Sequence, residues 1–501
     1  MRVLSAGVHG GNAVSLAAST QGRMLPPSGT TYDETALKAL AALMVAEIDP
    51  PGDDADKEEN PFVPAGFTYL GQFVDHDLTL ETQSSLGAGG DSRPNNQRSP
   101  RLDLDCLYGT GPEDRPFMYG TDGASLIDGG LDLPRAVNHR AIIGDPRNDE
   151  NSIVCQLQMA FIKFHNVVVA AHAAKGLTRD ALFAAAQREV RWTYQRILMD
   201  DFLPRLIHGD VLDQFLSERA LGGPHAYKLY TTDIRDTIPL EFSAAAYRMG
   251  HSMVRSGYRL NSGFKAAVFD DKGTPLSLVG FGDLPPEHRI NWQLFFPDAA
   301  IEASGSGTPP PGELARNNID GEQRMQFSYK LDTSLTNPLG NLPPQIVVAS
   351  DTHTSLGERN LLRGNLFRLA TGQEFAAHLG VPALAKNQLT TRPNKKGQTN
   401  RVSIDTVHPN FGQQTPLWFY VLAEAEQAVR DAEKNNVAEL SDATRALIGT
   451  QLGPVGGRIV AEVFYGLLDS DPDSVVHAPA SWAPHVPKFR VSELLKATNS
   501  F

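Results

Sequence analysis

Cysteine is almost absent: the 501-residue chain has two, Cys106 and Cys155. They can form one bridge at most, so a disulfide framework is excluded and two free thiols are expected. A basic surplus is also missing. Forty-five Lys and Arg stand against 58 Asp and Glu, a formal net charge of −13. That sign opposes sequence-independent nucleic-acid binding and docking on anionic lipid. No apolar run reads as long enough to cross a bilayer. The first residues, MRVLSAGVHGGNAVSLAAS, lack a basic start followed by a solid apolar stretch. The expectation is therefore no conventional signal peptide and a cytoplasmic default, with export by a route that leaves no such mark still open. Strand-like alternation is scarce, KLYTT (228–232) and QIVVAS (345–350) being the best cases. There is no internal repeat and no heptad seam.

What is present is an ordinary globular composition, 41% hydrophobic and 21% charged. A chain of this size buries roughly 75% of its unfolded surface, so its core needs no staples. Residues 1–60 are rich in Gly, Pro and small polar residues and hold one helix candidate, 35–48, followed by an acidic loop at 50–60. They read as an N-terminal arm over a main body at 61–501. Helical signals follow at 64–82, 152–175, 178–205 and 240–256, with breaker-rich loops at 84–100 and 302–315. The 152–175 stretch is apolar nearly all round, as a buried helix would be. Thr178 is the N-cap candidate of the next helix. Thr415-Pro416 reads as an N-cap and N1 pair opening a helix to about 434, Ser441 as another cap, and 453–468 as an apolar helix. The fold class expected is mainly α: one large helical domain with long loops and few short strands.

The chemistry gathers first in GQFVDHDLTL (71–80). On a helix, Gln72, Asp75 and His76 stand at i, i+3 and i+4 on one face, and Asp77 is turned about a hundred degrees away. Taken alone, these residues read as a hydrated helix end with an ion-paired His. His76-Asp77 as half of a metal phosphohydrolase site would need further clustered ligands. The other histidines are scattered, with no His-x-x-x-His or Glu-x-x-His pair.

The whole string resembles the distal-helix signature of the animal-type haem peroxidases, within the peroxidase–cyclooxygenase superfamily. Four more segments resemble that family in the same order. SPRLDLDCLYGTGPED (99–114) is similar to its calcium loop, GDPRNDENSIV (144–154) to its distal-arginine stretch, EFSAAAYRMGHSMVRSGY (241–258) to its proximal motif, and ERNLLRGNLFRLATGQEFA (358–376) to the segment carrying the proximal asparagine. The later strings at 415–426 and 452–468 resemble bacterial members. Together the resemblance covers about residues 60–470.

The resemblance implies a helical haem peroxidase fold, haem b and calcium. It implies His76 as the acid–base residue, Arg147 as the fixed cation beside the breaking O–O bond, and Gln72 as the holder of a water or halide. His251 would ligate the haem iron, with Asn360 bonded to its imidazole and Arg248 and Arg363 near haem propionates. Asp75 and Glu150 fall where the family has ester-forming carboxylates, so one or two ester links to haem can form. Asn151 stands where one branch has a sulfonium-forming Met, so that link is not available. Calcium would take oxygen ligands from Asp77, Ser99, Arg101 (through its carbonyl), Asp103 and Asp105, the hard donors that ion prefers. His165 is expected to be a packed, hydrogen-bonded core residue. The function implied is reduction of hydrogen peroxide with oxidation of a small donor such as a halide, thiocyanate or a phenol. Two alternatives stand beside it, a fatty-acid dioxygenase and a non-catalytic calcium-stabilised binding protein. The dioxygenase reading needs a radical-forming Tyr where this chain has Arg248; Tyr247 is a helix step off that face.

Overall fold

A computed structural model describes residues 19–47, 58–80, 95–223, 226–269, 276–298, 325–344, 346, 353–395, 398, 400–434 and 448–501. Most of the expected loops at 50–60 and 84–100, all of 302–315, the strand candidate at 345–350 apart from Ile346, and the Ser441 cap lie outside these residues.

The architecture is mainly α, as expected. The helices that position the site are α1 (Glu34–Met44), α2 (Gly66–Leu78), α3 (Ser152–Ala173), α4 (Arg179–Ile197), α5 (Leu356–Leu366), α6 (Leu417–Ala425) and α7 (Pro454–Ser470). The strands described are short and pair two by two. β1 (Glu59–Pro64) runs antiparallel to β4 (Phe327–Tyr329), and β2 (Gly257–Asn261) antiparallel to β3 (Phe264–Ala267). One continuous apolar core joins α2, α3, α4, α6 and α7.

α3 is the centre of that core. It is long and apolar enough to cross a bilayer, which corrects the sequence reading that no run is, but 78% of the relevant window is buried inside the protein. Its N-terminus is closed by Asn151, whose side-chain oxygen accepts from the backbone N–H of Ile153 and Val154 at 3.1 and 2.9 Å. α2 packs on α3 through Phe73, which stacks on Phe161 with centroids 4.8 Å apart. Gly66 opens α2 because the ring of Phe296 lies there: a Cβ would meet that ring at 2.4 Å. Residues 19–47 are docked, with Leu37, Leu40, Ala41 and Met44 of α1 fully buried and α1 lying on α5.

Four local expectations change. The 240–256 stretch is not one helix but a short α-turn, Leu240–Ser243, followed by a 3-10 segment, Ala246–His251. Side chains take the carbonyls a helix would use: Arg248 Nε, five residues on, donates to Ser243 O at 2.7 Å, and the distant Trp418 Nε1 to Arg248 O at 3.1 Å. KLYTT forms no strand, since the N–H groups of Lys228, Leu229 and Tyr230 donate to the Glu462 carboxylate at 3.0, 2.7 and 2.9 Å. Pro416, not Thr415, is the N-cap of α6, and the expected long helix breaks after Ala425. Thr178 occupies an N-cap position without a capping bond from its side chain.

Candidate active site

α2 presents three different faces to three different surroundings. Phe67, Leu70, Phe73 and Val74 enter the core. Gln72, Asp75 and His76 line a cavity of about 340 Å³. Asp77 is fully buried on another side, under the 99–105 loop. The separation of Asp77 from its neighbours is what the helical period predicts.

His76 is nearly fully buried at 5% exposure. Burial, then the charge of Arg147, pulls its imidazole down to about 4, so it is neutral at ordinary pH. Its Nδ1 lies 2.7 Å from Asn148 Oδ1, and its Nε2 lies 4.0 Å from Glu150 Oε1. Glu150 accepts from Gln72 Nε2, and Gln72 Oε1 accepts from Asn151 Nδ2 at 3.0 Å. Burial pushes the Glu150 carboxyl up to about 7, against the attraction of Arg147.

Arg147 lines the same cavity from the 3-10 turn Pro146–Asp149. Asp145 anchors it, accepting from Arg147 Nε at 3.1 Å and Nη2 at 2.7 Å, while Nη2 also donates to His76 O at 3.2 Å. Arg98 is a second cation on Asp145. Burial alone would raise the Asp145 carboxyl, but the bonds and charge of Arg147 hold it below the carboxylate range.

From a separate element, His251 and Arg248 reach the same cavity. Asn360 Nδ2 on α5 lies 2.7 Å from His251 Nδ1; with the Asn360 amide turned so that its oxygen faces the ring, Nδ1–H would donate to it and the Nε2 lone pair would be free. Arg248 Nη1 donates to Asp75 Oδ2 at 3.2 Å, so in this structure its partner is a protein carboxylate. Arg363 does not line the cavity; it sits within electrostatic range of Asp75 and over Phe367 at 5.3 Å. Tyr247, expected to turn away, lines the cavity and donates through its hydroxyl to Gly71 O at 3.2 Å. The broken 240–256 helix accounts for that difference.

The 99–105 loop gathers carboxylates. Leu104 takes a left-handed conformation, φ 63°, and its N–H donates to Asp77 Oδ2 at 3.2 Å. Ser99 Oγ donates to Asp103 Oδ2 at 2.7 Å. Asp77 and Asp103 are pushed up, by burial first and then by neighbouring acids; Asp105 is pushed up by burial alone, against Arg98 and its hydrogen bonds. Asp77 Oδ1 and Asp103 Oδ1 are buried without a hydrogen-bond partner. The Arg101 side chain points outward to Asp471, 3.4 Å away. Among the described residues, no three His, Cys, Asp or Glu side chains close to metal-holding distance.

His165 is a core residue, as expected: its Nδ1 is 3.1 Å from Tyr108 Oη and its Nε2 2.9 Å from Ala124 O. Both cysteines are free and buried. The sequence reading missed Asn148, Asp145 and Gln158. A signal for Gln158 exists, since Asn151, Gln158 and His165 recur every seven residues on one face of an otherwise apolar helix.

Comparisons with known proteins point one way. The animal haem peroxidase family profile matches residues 96–279. That span holds the 99–105 loop, Arg147 and His251, but neither α2 nor Asn360. Human thyroid peroxidase is 28% identical over 288 residues, which is 56% of this chain and 27% of that protein. Chorion peroxidase of Drosophila melanogaster is 33% identical over 120 residues, 23% of this chain and 14% of that one. The chain thus aligns with about a quarter or less of the length of these two relatives. Among solved structures, peroxidase A from Dictyostelium discoideum superposes with TM-score 0.58 and 16% identity, covering 96% of this chain and 93% of its own. Oryza sativa fatty acid alpha-dioxygenase superposes with TM-score 0.55 and 15% identity, covering 97% and 80%. The chain thus carries a segment, residues 96–279, that matches the animal haem peroxidase family, is similar in part to thyroid and chorion peroxidases, and shares its fold with peroxidase A and the fatty acid alpha-dioxygenase.

Proposed function

We propose that this protein is a haem peroxidase that reduces hydrogen peroxide and oxidises a small donor. The observation that carries the reading is the convergence of two histidines on one cavity, His76 from α2 and His251 from a separate segment, with Arg147 and Gln72 beside the first. The donor set suits haem. Asn360 engages His251 Nδ1, and with its amide oxygen turned to that nitrogen the other ring nitrogen would be available for an axial bond; the cavity walls are largely apolar, and Arg248 among them matches a haem carboxylate. His251 would hold the iron, with Arg248 beside a propionate; Arg363, off the cavity, would not reach one. Haem, when bound, supplies the redox centre for the two-electron reduction.

The protein's own groups handle protons and charge. Neutral His76 accepts the proton from one peroxide oxygen and delivers it to the other, general base and then general acid. Arg147, fixed by Asp145, offsets negative charge developing on the departing oxygen. Gln72, held at both ends by Glu150 and Asn151, orients a small polar molecule. Asp75 and Glu150 line the cavity as candidates for ester links to haem. The two orphaned oxygens of Asp77 and Asp103 fit a calcium ion shared with Ser99, Asp105 and the Arg101 carbonyl. The donor supplies the two electrons, so the products are water and the oxidised donor.

His76→Ala tests the assignment. Peroxide-dependent donor oxidation should fall by about 10²- to 10⁴-fold, with the haem absorption retained; an unchanged rate would remove His76 from the mechanism. Fatty-acid oxygenation is the second reading, favoured by Tyr247 at the cavity wall and by the shared fold with a fatty acid alpha-dioxygenase. Oxygen uptake with a polyunsaturated fatty acid and no peroxide would promote it.

A further inference from the structure

We propose that Asn148, held by Gln158, is the positioning residue that decides which nitrogen of His76 faces the cavity as a base. The inference rests on the peroxidase reading of His76. A neutral imidazole carries one hydrogen, on Nδ1 or on Nε2, and only the nitrogen without it can accept a proton. In isolation the two tautomers interconvert freely, so a buried base needs a partner that selects one.

Asn148 supplies that partner. Its Oδ1 lies 2.7 Å from His76 Nδ1, and an amide oxygen can only accept, so Nδ1 carries the hydrogen. The amide is itself oriented, because Asn148 Nδ2 donates to Gln158 Oε1 at 2.8 Å. Asn148 and Gln158 are both fully buried, so no water competes for either link. The backbone is held too, with Asn148 N donating to Asp145 O at 3.1 Å. His76 Nε2 is left with its lone pair on the Glu150 side, and Glu150 is part of the cavity wall. A chain from α3 through the Pro146–Asp149 turn to α2 thus aims the base. Neither Asn148 nor Gln158 touches the cavity, so each acts through another residue.

The test separates base chemistry from simple damage by comparing two ligands of the haem-loaded protein. Hydrogen cyanide must give its proton to a base as it binds ferric iron. Carbon monoxide binds ferrous iron with no proton to lose. Asn148→Leu should slow cyanide association by about 10- to 100-fold, up to the low end of what a positioned general base contributes, while carbon monoxide association stays at the wild-type rate. Gln158→Leu, which leaves the amide free to turn, should slow cyanide by a smaller factor. His76→Ala is the control. If it slows cyanide and Asn148→Leu does not, the positioning role is refuted and the peroxidase reading stands. If Asn148→Leu slows carbon monoxide as much as cyanide, the effect is collapse of the cavity and the positioning role is again refuted. If His76→Ala itself leaves cyanide unchanged, His76 is not the base and both readings fall.

Discussion

Stripping divalent cations from the protein should lower its stability by an amount legible in the 99–105 loop. Two carboxylate oxygens, Asp77 Oδ1 and Asp103 Oδ1, are buried with no hydrogen-bond partner. An unsatisfied buried acceptor costs about 1–3 kcal/mol, more when charged, so two of them put the gain from a bound cation at about 2–6 kcal/mol. Unfolding entropy is roughly 2.1 cal/mol/K per residue, or about 1 kcal/mol/K for a chain of this length. The thermal midpoint should therefore fall by about 2–6 °C, read as the difference between cation-free protein and the same protein in millimolar calcium at one scan rate. The sign of the pH dependence follows from the carboxyls. Asp77 and Asp103 are raised in the folded state by burial and then by neighbouring acids. Without a cation, the penalty is absent below the unfolded pKa and grows as pH rises through the folded one. Calcium should accordingly stabilise more at pH 8 than at pH 5. Equal midpoints with and without calcium at pH 8, or a larger calcium effect at pH 5, would refute the reasoning.

Other expectations follow from single contacts. Phe73→Ala removes a fully buried ring stacked on Phe161 and should destabilise by about 3–5 kcal/mol, seen as a lower thermal midpoint or loss of soluble protein. Asn360→Ala frees His251 Nδ1 and should weaken haem retention by about 10- to 100-fold, measured by transfer of haem to apomyoglobin. Asp75 and Glu150 both line the cavity, so repeated turnover should leave a fraction of haem that acidified organic solvent does not extract. Complete extraction would count against ester formation.

The helices were legible because their apolar periodicity reports burial directly. α3 reads as buried because it has almost no polar face, and it is the centre of the core. The departures fall where a distant side chain supplies what a local ladder would have. Glu462 takes three N–H groups from the KLYTT stretch, and Trp418 takes the Arg248 carbonyl in 240–256. Local propensity carries no record of a partner some 170 or 230 residues away. The cavity residues were legible for a different reason. Gln72, Asp75 and His76 are grouped by the helical period itself, whereas their connection to His251 came only from resemblance. Asn148 was hidden because an Asn inside an Arg-Asn-Asp turn reads as turn chemistry.

Placing the cavity histidine His76 and a buried carboxylate side by side on α2 has a mechanical consequence. The helix period sends His76 to the cavity and Asp77 to the 99–105 loop, about a hundred degrees apart. Any force that seats Asp77 therefore sets the rotation of α2 and with it the direction of His76. Two further restraints act on the same rotation: the stack of Phe73 on Phe161 and the bond from His76 to Asn148. The apolar stack is indifferent to pH and to cations, while the Asp77 restraint would respond to both if the proposed calcium binds there. Loss of the cation should thus loosen the geometry of the base before it unfolds the core, and peroxide reactivity should decline at calcium levels where the folded signal is still intact.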